Sequence, residues 1–158
     1  MRKYDSIHVG AGVLATMLFL AGCSGNGPEA GFVIPDGPRG EVVSAALSQI
    51  GTRYEYGASK PGRALDCSAL TRHAYRSAGF EIPRMSRAQH RAAKPVSPAR
   101  RAPGDLVFFR TGDGYHVGVL VDDDRFVHAS TSSKQVKVSS LVAPYWRSRM
   151  VGAGTFMK

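Results

Sequence analysis

The sequence is short of cysteine, of acidic residues and of long apolar runs, and each shortage narrows what the protein can be. Two cysteines in 158 residues allow at most one disulfide bond, which excludes a disulfide-rich scaffold. No apolar run reaches the roughly 18 residues of a membrane span. Twelve acidic against 21 basic residues give a formal net charge of +9, which favours anionic partners such as nucleic acid, a membrane surface or an acidic polymer. A hydrophobic content of 43% still supports one folded domain with a short appendage.

The N-terminus has the layout of an export signal. A short basic start precedes residues 7–21, which are apolar and almost uncharged. A cysteine closes this stretch in the sequence LAGC at positions 20–23, which resembles the lipobox of bacterial lipoproteins. The resemblance implies that residues 1–22 are a lipoprotein signal peptide and that Cys23 is acylated and becomes the mature N-terminus. An ordinary signal peptide with a cysteine nearby is the alternative.

Lipidation of Cys23 predicts an exported protein, anchored to a bacterial membrane on the side that faces the cell wall. We expect the outer membrane in a cell that has one. Export makes nucleic acid an unexpected partner despite the positive charge. It leaves Cys67 as a free thiol in an oxidising compartment, where an unpaired cysteine indicates reactivity. A Cys23–Cys67 disulfide is the alternative if the lipobox interpretation fails.

Glycine and proline dominate residues 23–40, which predicts a flexible, lipid-anchored tether. A coil of this length spans on the order of 20–25 Å, so that a domain can work slightly above its anchor. Residues 32–34 form a small apolar island that could dock on the domain.

Residues 41–158 form the predicted domain, in which helical patterns precede strand patterns. Apolar spacing predicts three helices, the second beginning at Cys67 and the third opened by a capping box of Ser86 and Gln89. From Asp105 onward, apolar runs separated by glycine-rich and aspartate-rich turns predict five strands. Helices followed by an antiparallel meander indicate an α+β fold, with the helices packed on one face of a mainly antiparallel sheet of five or six strands.

Cys67 lies at the predicted start of a helix. Unpaired backbone N–H groups and the positive end of the helix dipole favour an anion there, and they lower the pKa of a thiol. Cys67 is therefore a candidate nucleophile. A buried, inert cysteine is the alternative.

Two histidines could serve such a nucleophile. Strand alternation places His116 and Gly118 on one face, and a hairpin brings His128 of the next strand to the same sheet edge. His116 could take the thiol proton, and a neutral His128 could orient it. Gly118 leaves room for another element, such as a helix start. A metal site of Cys67 and both histidines is the alternative, although the three lack the close spacing of metal ligands.

Six segments resemble the NlpC family of papain-like bacterial cell-wall cysteine peptidases, in the order of that family and over nearly all of the domain. They are residues 51–54, 66–70, 83–89, 103–109, 116–119 and 126–130. Ala69, Tyr56, Ala58 and Met85 depart from the usual pattern of the family, which affects the shape of the cleft rather than the chemistry.

The resemblance implies a papain-like peptidase that cleaves peptidoglycan stem peptides or crosslinks next to diaminopimelate, without a metal or another cofactor. Activity is expected to fall at acid pH, as the histidines become charged. The backbone N–H of the nucleophile or of the next residue could stabilise the oxyanion. The implied catalytic residues are Cys67 as nucleophile, His116 as base and His128 as orienting residue, and the implied substrate-binding residues are Tyr54, Asp66, Ser68 and Ser86.

Two other functions stay open. The thiol could transfer the acyl group to an amine or a lipid instead of water, or the protein could bind the wall without catalysis. A regulatory protein partner is a further possibility. The basic residues between 84 and 101 are interpreted as a solvated face, with attraction to an anionic wall or membrane as the alternative. His73 and His90 are expected at the surface, and Tyr145 and Trp146 in the core.

Overall fold

The computed structural model describes residues 31–112 and 114–158. The predicted signal peptide, the lipidation site Cys23 and the first part of the tether lie outside these residues and stay predictions. Within the described part of the chain, no helix has the length and apolar character needed to span a membrane.

Short helices and strands alternate in the first half of the domain, and a meander of longer strands fills the second half. A 3-10 turn at Pro98–Arg100 separates the two halves. The elements in chain order are α1 (Pro38–Leu47), β1 (Arg53–Tyr54), β2 (Ser59–Lys60), β3 (Ala64–Leu65), α2 (Cys67–Ser77), α3 (Ser86–Ala92), β4 (Lys94–Val96), β5 (Leu106–Thr111), β6 (Gly114–Leu120), β7 (Arg125–Ser130), β8 (Gln135–Ser140), α4 (Pro144–Arg147) and β9 (Met150–Thr155).

The described strands form one sheet in the order β2-β3-β1-β8-β7-β6-β5-β9-β4. Every neighbouring pair is antiparallel except β1 and β3. The five predicted strands correspond to β5 to β9, and the α+β class is confirmed. The expected count of five or six strands is too low, because the four added strands have only two or three residues and are too short to show a period in the sequence.

Strand alternation divides the apolar residues between the two faces of the sheet. On one face, α1 and α2 cover the main core, which includes Leu106 and Phe108. On the other face, Phe109 and Phe126 form a smaller cluster, against which Trp146 of α4 packs. Of the three predicted helices, α1 and α2 therefore pack on the face of the main core, and the short α4 packs on the other face.

The first helix begins at Pro38, inside the segment interpreted as tether. Arg39 donates a hydrogen bond of 2.9 Å to a carboxylate oxygen of Asp105, which is fully buried. Phe32 and Ile34 pack against the main core, as the apolar island predicts. The end of the tether is thus part of the domain surface.

The capping box predicted at the start of α3 is wrong. Met85 occupies the N-cap position, and the helix start has no side-chain cap. The Ser86 hydroxyl instead donates to the backbone oxygen of Tyr115 over 2.9 Å. Gln89 is fully buried, and its side chain is hydrogen-bonded to Thr71 of α2. Because of this tertiary contact, the side chain does not cap the start of α3.

Candidate active site

One cleft of about 1120 Å³ brings the predicted catalytic and substrate-binding residues together. Its walls come from the start of α2, from the chain before α3 and from the strands β6, β7 and β8. All seven residues named from the sequence line it: Tyr54, Asp66, Cys67, Ser68, Ser86, His116 and His128.

Cys67 is the first residue of α2, as predicted. Asp66 caps the helix, because one of its carboxylate oxygens accepts a hydrogen bond of 2.7 Å from the N–H of Ala69. The backbone N–H groups of Val117, Ser68 and Cys67 itself face the sulfur. Strand β6 is thereby held against the helix start, and three donors surround the candidate nucleophile.

The expectation of a lowered thiol pKa is wrong for the free protein. Burial, followed by the adjacent Asp66 carboxylate, raises the pKa of Cys67 to about 11, although the three backbone donors act in the opposite direction. Desolvation of the charged form outweighs the favourable helix position. At neutral pH the resting group is a thiol, and it needs a base at the moment of attack.

The two histidines form a hydrogen-bonded pair. Nε2 of His116 lies 2.9 Å from Nδ1 of His128. Nε2 of His128 lies 2.9 Å from the hydroxyl of Ser139, a residue that the sequence analysis did not identify. If His128 is neutral and donates to Ser139, its Nδ1 accepts from His116, and Nδ1 of His116 is left free to accept the thiol proton.

Burial lowers the pKa of both histidines. The pKa of His116 falls to about 4. That of His128 is also lowered, first by burial and then by the charges of His116 and Lys137. The base therefore stays unprotonated at pH 5, and the predicted loss of activity in acid moves to a lower pH than the ordinary histidine value indicates.

Trp146 covers the histidine pair. Its ring stacks on His116 with a centroid distance of 5.5 Å and an interplanar angle of 26°. It meets His128 edge-on at 4.8 Å. The expected core position is only partly correct for Trp146, which is half-buried against the smaller cluster and also lines the cleft, whereas Tyr145 is half exposed at the cleft rim.

Gly118 makes room for strand β7 rather than for a helix start. A Cβ atom at this position would lie 2.6 Å from the Phe126 ring, 2.8 Å from the backbone oxygen of Val127 and 3.3 Å from Cβ of His128. The missing side chain therefore permits the close approach of β6 and β7 that places the two histidines in contact.

Arg84 fixes the loop in front of the nucleophile. Its guanidinium binds both carboxylate oxygens of Asp66, at 2.9 and 2.7 Å, and donates to the Ser68 hydroxyl over 2.9 Å. It also reaches the backbone oxygen of Gly57. Arg84 is thus not part of the solvated basic face assumed from the sequence, and Asp66 and Ser68 are both engaged at the cleft wall.

The other predicted site residues lie at the edges of the cleft. Tyr54, on β1, is half-buried, with the ammonium group of Lys134 5.8 Å from its ring centroid. The exposed side chains of Tyr56 and Met85 form part of the rim. All three line the cleft that contains Cys67.

Two remaining expectations concern metal and the other histidines. Among the described residues, no group of three or more His, Cys, Asp or Glu side chains has the arrangement of a metal site. His90 is only half exposed, because it packs against the rings of Phe108 and Tyr115 at centroid distances of 4.8 and 5.4 Å. His73 is also half-buried. The surface positions expected for both are therefore only partly correct.

A cysteine at a helix start, served by a histidine pair from a sheet, is the arrangement of a papain-like cysteine hydrolase. The chain belongs to the NlpC/P60 family, because the model of that family matches residues 51–155, about two thirds of its length.

Three relatives that share the domain are longer than this chain. The murein DD-endopeptidase MepS/murein LD-carboxypeptidase of Escherichia coli K12 is 42% identical over 101 residues, which cover 63% of this chain and 53% of that protein. A Staphylococcus aureus Mu50 structure, described as similar to lipoprotein, NLP/P60 family, has a TM-score of 0.70 at 26% identity and covers 82% of this chain and 45% of that one. The structure of the peptidoglycan hydrolase RipB of Mycobacterium tuberculosis has a TM-score of 0.65 at 28% identity. The match covers 77% of this chain and 65% of RipB. This chain thus spans about half the length of MepS.

Proposed function

We propose that this protein is a cysteine-type peptidoglycan endopeptidase that hydrolyses amide bonds in stem peptides. One observation carries the proposal. The cleft holds a thiol at a helix start together with a histidine pair whose hydrogen bonds leave one ring nitrogen of His116 free. The related MepS and RipB, named as a murein endopeptidase and a peptidoglycan hydrolase, support the choice of peptidoglycan as substrate.

The first half of the reaction forms an acyl-enzyme. As the Cys67 sulfur attacks the carbonyl carbon, the thiol proton passes to Nδ1 of His116, because Nε2 is engaged with His128. His128 accepts that hydrogen bond and keeps the imidazole oriented. The backbone N–H of Cys67 or of Ser68, at the start of α2, stabilises the negative charge that develops on the carbonyl oxygen. His116 then gives the proton to the leaving amine.

The second half regenerates the thiol. His116 takes a proton from water, the resulting hydroxide attacks the thioester carbon, and the C–S bond breaks with return of the proton to the sulfur. Burial of the histidine pair under Trp146 keeps both imidazoles neutral between these steps.

The finer points of the function follow from the family resemblance. We propose cleavage next to diaminopimelate, and anchoring to a bacterial membrane through a lipidated Cys23, outside the described residues. Transfer of the acyl group to an amine or lipid, and binding to the wall without catalysis, are the competing functions. Both lack a specific observation in their favour in the described part of the chain.

The test is a digest of purified muropeptides followed by mass spectrometry, with Cys67→Ala as the matched control. We expect new stem-peptide fragments that appear only with the intact thiol, and an activity loss of at least about a thousandfold in the variant. The fragment masses identify the bond. Fragments of equal yield with the variant, or none with folded protein, would contradict the proposal, and a mass increase by an amine would indicate a transferase.

A further inference from the structure

We propose that Lys137 is a specificity-determining residue whose ammonium group binds a carboxylate of the stem peptide beside the histidine pair. The inference rests on the proposed function and extends it to one chemical requirement of the substrate. Lys137 is half-buried on β8 and lines the cleft together with Cys67 and His128.

The register of the sheet places Lys137 next to the catalytic pair. In the β7–β8 ladder it lies directly opposite His128. Directly opposite residues project from the same face, with Cβ atoms about 5 Å apart. Ser139, two residues further on the same face, bonds to His128. The lysine side chain therefore extends alongside the imidazole into the space that a substrate must occupy.

The charges in the cleft leave Lys137 without a counter-ion. Asp66 is neutralised by Arg84 at 2.7 Å. Arg87 is a second cation on the wall of the cleft, but it is exposed to solvent, with its guanidinium 5.9 Å from the centroid of the Tyr115 ring. Within residues 31–112 and 114–158, Lys137 makes no ion pair. A half-buried cation without a partner, on the wall of a substrate cleft, favours an anionic group in the ligand.

Stem peptides supply that group. Their glutamate and diaminopimelate residues have carboxylates close to the amide bonds of the backbone, and amidation converts such a carboxylate into a neutral group of nearly the same shape. Amidation therefore removes the charge while it leaves the length and the scissile bond unchanged. A hydrogen bond between two charged groups is expected to contribute about tenfold to a hundredfold in affinity.

The experiment compares two synthetic stem peptides that differ only in amidation of the carboxylates next to the scissile bond. The full chain is assayed as wild type, Lys137→Gln, Lys137→Arg and Lys94→Gln. Lys94→Gln makes the same change in net charge as Lys137→Gln. It serves as the control because Lys94 is exposed on β4 and lies away from the cleft. We expect wild type and Lys94→Gln to prefer the free carboxylate at least tenfold in kcat/KM, mainly through KM. Lys137→Gln is expected to lose this preference, and Lys137→Arg to retain most of it.

A second measurement keeps this inference separate from the proposed function. Binding of both peptides is measured by calorimetry with Cys67→Ala and with Cys67→Ala/Lys137→Gln, so that no turnover is needed. An equal preference in both proteins overturns the role of Lys137, whatever the activity assay shows. A shift of the pH profile in Lys137→Gln at an unchanged preference between the peptides overturns it too, because the lysine then acts only on the electrostatics of the histidines. Absence of cleavage by wild type, with selective binding intact, refutes the peptidase function alone.

Discussion

Cys67 lies at the first turn of α2, where the peptide dipoles favour an anion, and yet burial and the Asp66 carboxylate keep its pKa at about 11. His116, the base that serves it, is held neutral by the same loss of solvent. Both groups therefore rest in their uncharged forms. The thiol proton passes to His116 as the sulfur attacks the carbonyl carbon of a substrate. Without a substrate the thiol stays protonated and is therefore weakly reactive.

The buried histidines predict a specific dependence of stability on pH. The pKa of His116 is about 4 in the folded chain, against an ordinary value of 6.5, so the unfolded chain binds more protons between these limits. The contribution of His116 to the free energy of unfolding should therefore be complete above pH 6.5. About 3 kcal/mol of this contribution should be lost as the pH drops to 4. His128 shifts in the same direction.

Chemical denaturation of wild type and His116→Gln between pH 4 and 8 tests this prediction. The variant lacks the titrating group, so its stability is expected to change less over the interval. Parallel curves for the two proteins would show that His116 does not titrate with a lowered pKa in the fold.

At the scale of elements, the position of α2 depends on a buried amide from α3. Nε2 of Gln89 donates to the backbone oxygens of Ser68 and Pro83, at 3.0 and 2.8 Å, and its Oε1 accepts from the Thr71 hydroxyl at 2.8 Å. One side chain thus joins two helices and the loop between them. Because Ser68 follows the nucleophile directly, this network also positions the helix start.

Gln89→Ala is expected to lower the free energy of unfolding by roughly 2–3 kcal/mol, because it leaves buried donors and acceptors without partners. Gln135→Ala on β8 is the matched control, since Gln135 is exposed and its change should cost less than about 0.5 kcal/mol. Urea denaturation measures both. Similar losses in the two variants would mean that the network contributes no net stability.

At the scale of the whole molecule, the end of the tether contributes to the fold. Phe32 and Ile34 cover part of the main core, and Arg39 is the ion-pair partner of the fully buried Asp105. Asp105 also accepts a hydrogen bond of 2.9 Å from the N–H of Ala102 at the entrance to β5. A domain that begins at Glu41 would lose the contacts of Phe32, Ile34 and Arg39.

A chain of residues 41–158 is therefore expected to be less stable than a chain of residues 31–158, by at least about 3 kcal/mol. Arg39→Ala in the longer chain should account for roughly 1–3 kcal/mol of this. That is less than a fully buried pair contributes, because the arginine is 35% exposed. Val33→Ala is the control, since Val33 is 86% exposed within the same segment. Thermal and urea unfolding measure the differences, and equal stabilities of the two chains would contradict a structural role for residues 31–40.

Much of the domain follows from local pattern. Alternation along β6 and β7 places His116 and His128 on one face, and helical spacing after Cys67 indicates α2. These features depend on the spacing of apolar residues along the chain, which can be recognised within a few consecutive residues. The seven site residues could be named for this reason and because their segments resemble a family.

Tertiary structure decided what depends on distant residues. Arg84 binds Asp66 and is not part of a solvated basic face. Gln89 bonds to α2 and does not cap α3, and Gly118 allows the close approach of β7. The direction of the pKa shift at Cys67 was also decided there, because desolvation depends on every group that packs around the sulfur, whereas the helix dipole depends only on the position of Cys67 within α2.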